Sequence, residues 1–198
     1  YNGIRSSALA FGCSSVLGAK DAKTSRSAID AALAEGINHF DLARSYGYGE
    51  AEKFVGSVLK NRRKELVLAT KFGIKANWKA QLLNPVKPII RSLKESNKSQ
   101  APVMPKPVVK SADKFHSRIN INPDTMIKSL ETSLKALQTD YIDYFFVHEP
   151  HQSIAAFDQL LEAANKLKQA GKIRAFGVAF MRHQYNLHKD YIKAVDMW

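Results

Sequence analysis

The sequence predicts an α/β protein built as an incomplete TIM-type β/α barrel, with about five of the eight βα units of that architecture. Three observations carry the prediction. Short apolar runs alternate with segments of helical period, which implies parallel strands joined by right-handed crossovers. Three of the runs end in a polar residue where a barrel would place its catalytic groups. The first strand leads into Phe11-Gly12-Cys13-Ser14-Ser15-Val16-Leu17-Gly18 and not into the G-x-G-x-x-G turn of an open dinucleotide-binding sheet, which favours the barrel.

Element by element, Ala8 to Phe11 reads as the first strand, bounded by Gly12. A helix near Ser25 to Glu35 carries Ala28, Ile29, Ala32 and Leu33 on one face, with Gly36 placed to stop it. Ile37 to Asp41 is the second strand, and Phe54, Val55, Val58 and Leu59 form the stripe of a helix over about Gly49 to Lys60. Glu65 to Thr70 has the continuous apolar character of a strand covered on both faces. Further on, Asn122-Pro123-Asp124 combines a capping residue with proline at the first helical position, and Ile127, Leu130, Leu134 and Leu137 follow at helical spacing. Tyr141 to Val147 is the fourth strand, Phe157 to Leu167 a helix that stops at Gly171, and Ile173 to Val178 the fifth strand. Asn186 to Val195 resembles a fifth helix, and Met197-Trp198 stands at the threshold of a sixth strand.

Between the third strand and the Asn122 helix lies a different composition. Residues 75–121 hold most of the basic excess, together with Pro85, Pro88, Pro102, Pro105 and Pro107. A segment of that kind buries too little apolar area to offset the entropy of ordering, so a flexible basic insertion is expected, with a short helix at Pro85 to Leu93. Otherwise residues 1–198 read as one domain.

The formal net charge of +12, from 30 Lys and Arg against 18 Asp and Glu, invites a nucleic-acid reading. Its concentration in the insertion, where Trp78 and Phe115 are too few aromatics for a stacking platform, argues against one. No apolar run approaches the ~18 residues of a membrane span, so no membrane partner is expected. The single cysteine, Cys13, cannot form an internal disulfide and fits a reducing, cytoplasmic compartment.

The chemistry gathers at strand ends. Asp41, Lys71 and His148 each close a buried-type run, so a barrel brings a carboxylate, an ammonium and an imidazole to one mouth. Tyr46 lies just beyond Asp41. A phenol with an ordinary pKa of about 10 is a weak acid at neutral pH, and an ammonium beside it lowers that value. Lys71 could supply the charge, Asp41 could hold the lysine, and His148 could orient a carbonyl oxygen. His39, His116, His151, His183 and His188 lack metal-ligand spacing and read as structural or exposed; no metal is expected.

Four ordered blocks give these residues a family resemblance: Gly36-Ile37-Asn38-His39-Phe40-Asp41-Leu42-Ala43 with Tyr46-Gly47 and Glu50; Ala69-Thr70-Lys71; Tyr141-Ile142-Asp143-Tyr144 through His148; and Gly171-Lys172-Ile173-Arg174-Ala175-Phe176-Gly177-Val178. Together they resemble the aldo-keto reductases. The resemblance implies an NADPH-dependent reductase that converts a small-molecule aldehyde or ketone to an alcohol. In it Tyr46 is the general acid, Lys71 tunes it, Asp41 positions Lys71 and also faces the cofactor, and His148 helps hold the carbonyl. Ala179 and Phe180 stand where the family carries a Ser-Asn pair that holds the nicotinamide carboxamide, so backbone groups, or Arg182 and His183, would have to substitute.

The family's last three βα units have no counterpart in the sequence. Three explanations stand: a fragment of a longer protein, a truncated paralogue without turnover, or a half that completes its barrel by self-association through unpaired edges. The alternative function is accordingly a catalytically silent barrel that serves as a binding or interaction module.

Overall fold

The computed structural model describes residues 3–77 and 115–198. Five parallel strands form one sheet in the order β1 (Ala10–Gly12), β2 (His39–Asp41), β3 (Val67–Phe72), β6 (Ile142–His148) and β7 (Ile173–Ala179). Helices α1 (Ala22–Ala34), α2 (Ala51–Leu59), α3 (Pro123–Leu137) and α4 (Phe157–Gln169) return the chain between successive strands. The order is sequential, as a barrel wall requires, and the register brings the C-terminal parts of neighbouring strands side by side: Gly12 faces Asp41, Asp41 faces Ala69, Lys71 faces Phe146 and His148 faces Ala179, with β3 running three residues past the end of β2.

Two apolar layers hold the sheet. On its outer side Phe40, Leu68, Phe72, Phe145 and Phe176 pack with Val55, Leu130, Leu134 and Leu160 from the helices. On its inner side a smaller cluster joins Val67, Ala69, Tyr144 and Ala175 to Ile4, with Phe146 and Met197 against it. Burial on both faces explains the apolar run that opens β3, every residue of which is buried, Thr70 and Lys71 included.

Asn122 caps α3 as its sequence suggests, its side chain accepting from the Thr125 N–H at 2.9 Å while the Thr125 hydroxyl accepts from the Asn122 N–H at 3.2 Å. At the opposite end of the sheet from the candidate site, buried Asp143 accepts from Arg63 at 2.8 Å, Arg174 at 3.0 Å and the Leu68 N–H at 2.9 Å. One carboxylate thereby ties β3, β6 and β7 together.

Several expected boundaries move. β1 starts two residues later than the apolar run, and β3 continues to Phe72, so Lys71 lies inside a strand and not beyond its end. The expected helix over Asn186 to Val195 is a single turn, α5 (Tyr185–His188). Tyr191 is drawn into tertiary contacts instead, stacking on Phe157 at 4.1 Å and accepting from the Ile154 N–H at 2.6 Å. Met197 does begin a further pairing, as an isolated parallel bridge to Gly177 of β7.

The ends of the basic insertion pair with each other: β4 (Ile74–Ala76) and β5 (His116–Arg118) form an antiparallel ribbon directly after β3. Their extended backbone finds its ladder partners locally, which composition alone does not reveal. The expected helix at Pro85 to Leu93 and most of the expected flexible segment lie outside the described residues.

Candidate active site

Asp41 ends β2, and the chain then folds over the sheet end through a tight turn, Tyr46–Gly49. Gly47 makes that turn feasible: its φ is +60°, and a Cβ there would sit 2.6 Å from the Val16 carbonyl oxygen. Tyr46 is thus directed back to β3, where Lys71 projects among its acceptors. The Lys71 Nζ donates to both Asp41 carboxylate oxygens, at 2.7 and 2.8 Å, and to the Leu42 carbonyl at 2.7 Å. The Tyr46 hydroxyl lies 3.4 Å from the same nitrogen.

His148, at the end of β6, completes the group, with its ring edge-on to Tyr46 at 6.1 Å between centroids. All four residues singled out in the sequence therefore converge. Tyr48, the other tyrosine of the turn, packs against Phe115 at 5.6 Å instead.

The electrostatics depart from expectation at one point. The Tyr46 hydroxyl is pushed above the ordinary phenol range, first by burial and then by the negative charges of Asp41 and Glu149. The net shift is upward even with the Lys71 ammonium 3.4 Å away, whose charge is shared with both oxygens of Asp41. His148 moves the other way, to about 3, through burial and the positive charges of Lys71, Arg118 and His116. Its imidazole is neutral at physiological pH, and its buried Nδ1 has no hydrogen-bond partner among the described residues.

A cavity of about 430 Å³ opens over Tyr46 and His148, lined also by Ser45, Ile74, His116, Arg118, Glu149 and His151. His116 and His151 are thus pocket residues, which the sequence reading treated as structural or exposed. Arg118 and Glu149 were missed for lack of any local signal. Glu52 was also missed. It is buried beneath the Tyr46 turn, accepts from the Thr70 hydroxyl at 2.7 Å and lies 3.5 Å from Arg44. Its spacing from Val55 and Leu59 places it on the buried face of α2, a signal that could have found it.

Of the two cofactor candidates at the end of β7, Ala179 lies beside the site and Phe180 does not line its cavity. His148 and Ala179 are register partners across β6 and β7, and the Ala179 carbonyl accepts from the Glu149 N–H at 2.7 Å. Phe180 lines a separate cavity of about 700 Å³ with Arg182, Tyr185, Asn186 and Trp198. Its ring is near-parallel to that of Trp198, at 11° and 6.3 Å. Aromatic walls with one guanidinium and one amide suit a flat heteroaromatic ring carrying a carboxamide, so these residues fit a nicotinamide.

A segment of parallel β/α barrel with Tyr, Lys, Asp and His side chains gathered at the mouth defines a class, the β/α-barrel proteins with a polar site at their strand ends. The Aldo/keto reductase family model matches residues 8–191, and the chain belongs to that family. It is 32% identical over 164 residues to the aldo-keto reductase YhdN of Bacillus subtilis, a match covering 82% of this chain and 38% of that protein. With the NADH-specific methylglyoxal reductase of Escherichia coli it shares 31% identity over 163 residues, covering 80% of this chain and 40% of that enzyme. Among solved structures, the holo form of aldo-keto reductase AKR11C1 from Bacillus halodurans superposes with a TM-score of 0.69 at 31% identity, covering 98% of this chain and 52% of that one. The chain thus spans about half the length of these relatives, or less. No described helix is long and apolar enough to cross a membrane.

Proposed function

We propose that this chain carries the acid-base machinery of an NADPH-dependent carbonyl reductase, with Tyr46 as the proton donor to a small aldehyde or ketone. The observation that carries the reading is the meeting of Tyr46, Lys71, Asp41 and His148 at one cavity. A bound nicotinamide cofactor would supply the hydride, and Phe180 and Arg182 of the second cavity, with Ala179 and Asp41 at their strand ends, are the residues proposed to hold it.

The remaining chemistry belongs to this chain's own side chains. Neutral His148 donates an N–H to the carbonyl oxygen and orients it. Tyr46, fully protonated at neutral pH because its pKa is raised, gives its proton to that oxygen as negative charge develops there. The phenolate left behind forms 3.4 Å from the Lys71 ammonium, which stabilises it, while Asp41 and the Leu42 carbonyl keep the lysine in place. The buried Cys13 accords with a reducing, cytoplasmic setting.

The test is turnover of a generic aldehyde with NADPH and, separately, NADH, since the Escherichia coli relative is named for the latter. Tyr46→Phe should lower kcat by about 10²–10⁴-fold with the fold unchanged by circular dichroism. Equal turnover by wild type and Tyr46→Phe would refute the assignment. A folded chain that turns over nothing would favour the silent binding module, as the apolar pair Ala179-Phe180 also does.

A further inference from the structure

The cavity over Tyr46 and His148 is electrostatically two-sided. The charges that act on Tyr46 are those of Asp41 and Glu149, whereas those that act on His148 are Lys71, Arg118 and His116, all positive. Lys71, the largest of these, is engaged by Asp41, which leaves the β5 side chains, Arg118 with His116 two residues before it, to face a ligand in the cavity.

Arg118 stands in a particular way. One NH1 group donates to the main-chain carbonyl of Glu149, which fixes the guanidinium at the cavity beside the end of β6. No carboxylate among the described residues forms an ion pair with it, whereas Arg26, Arg44, Arg62, Arg63 and Arg174 each have one. The Glu149 side chain is the only carboxylate among the residues lining this cavity, and Arg118 holds its backbone oxygen instead. A planar guanidinium with unspent N–H donors, pinned at a cavity of about 430 Å³, is a receptor for a carboxylate.

We propose that Arg118, with His116 beside it, selects substrates in which the reducible carbonyl is accompanied by a carboxylate: the carbonyl lies between Tyr46 and His148, and the carboxylate on the guanidinium. The inference rests on the reductase reading for the carbonyl, but the carboxylate site stands on Arg118 itself. It also gives the β4–β5 ribbon a task, since it delivers the far end of the basic insertion to the cavity.

The experiment compares one skeleton with and without the charge. Binding of 4-(hydroxymethyl)benzoate and of its methyl ester is measured by calorimetry. Reduction of 4-carboxybenzaldehyde and of methyl 4-formylbenzoate is followed with NADPH and with NADH. Wild-type protein should favour the carboxylates by about 10- to 100-fold, the range of a charge-assisted pair of hydrogen bonds. Arg118→Gln should collapse that ratio towards one, and Arg118→Lys should recover part of it by restoring charge without the fork. Arg118 is exposed, so neither variant threatens the fold, and circular dichroism checks this. Equal affinity for acid and ester in wild type, or a preference that survives Arg118→Gln, overturns the proposal. An Arg118-dependent preference in binding, with neither aldehyde reduced, supports the carboxylate site and refutes the reductase reading, so the two failures are distinguishable.

Discussion

The contact between Lys71 and Asp41 can be measured without any turnover. Lys71 sits in a strand buried on both faces, its side chain 9% exposed against 35% for Asp41. Removing one partner of a fully buried ion pair costs about 3–5 kcal/mol, because the other charge is left without compensation. Asp41→Asn strands the ammonium, but the Leu42 carbonyl still accepts from it and water reaches part of the carboxylate site, so the expected cost is about 2–3 kcal/mol. Lys71→Met strands the better-solvated partner and should cost less, about 1–2 kcal/mol. Neither charge is stranded in the double variant, which should therefore be more stable than the sum of the single losses by about 1–2 kcal/mol. Urea unfolding of the four proteins, followed by circular dichroism at equal m-value, gives the cycle directly. Strict additivity, with Asp41→Asn costing under ~0.5 kcal/mol, would refute the claim that this pair is a coupled, desolvated unit.

Two further predictions concern His148 and the helix layer. The folded imidazole titrates near 3 against an ordinary 6.5, so between those values the unfolded chain binds the extra proton, and stability falls as pH drops through the window. The loss reaches up to about 1.4 kcal/mol per pH unit, and His148→Asn should flatten that acid limb in urea titrations run from pH 7 to pH 4; an unchanged slope would show that His148 is not buried neutral. Gly56→Ala should destabilise by about 1–3 kcal/mol despite alanine's better helix propensity. The added Cβ would lie 2.6 Å from the Leu137 Cα where α2 crosses the end of α3, and a raised melting temperature would contradict the close packing of these helices.

What the sequence reveals, and what it hides, follows the range of the forces involved. Strands buried on both faces announce themselves as apolar runs, and the cap of α3 is a local hydrogen-bond arrangement that Asn122-Pro123 encodes by itself. The tetrad was legible because Asp41, Lys71 and His148 each interrupt such a run near its C-terminal end, where a barrel wall brings strand ends together. Asp143 also interrupts a run, yet its partners Arg63 and Arg174 lie far away in sequence, so its role in tying three strands together could not be read. The β4–β5 ribbon was hidden for a related reason: its pairing joins residues 74–76 to 116–118 across a segment whose proline and lysine content argues against order. The altered range of Tyr46 depends on burial and on the position of Glu149, neither of which is a property of the motif.

That last difference bears on how such a site works. An acid must be protonated before the reaction and willing to lose its proton during it, and these demands conflict if the ammonium permanently lowers the phenol's pKa. Here the ground state resolves the conflict through Asp41, which holds Lys71 with both oxygens and itself raises Tyr46. The phenol therefore keeps its proton throughout the neutral range. In the proposed reaction a carbonyl oxygen takes that proton as it gains negative charge, and the phenolate forms beside Lys71, whose ammonium offsets part of the penalty that burial and the two carboxylates impose. On that reading Asp41 has two opposed effects: it fixes the ammonium within reach of the phenolate, and its own charge keeps the phenol protonated until a carbonyl oxygen is there to take the proton.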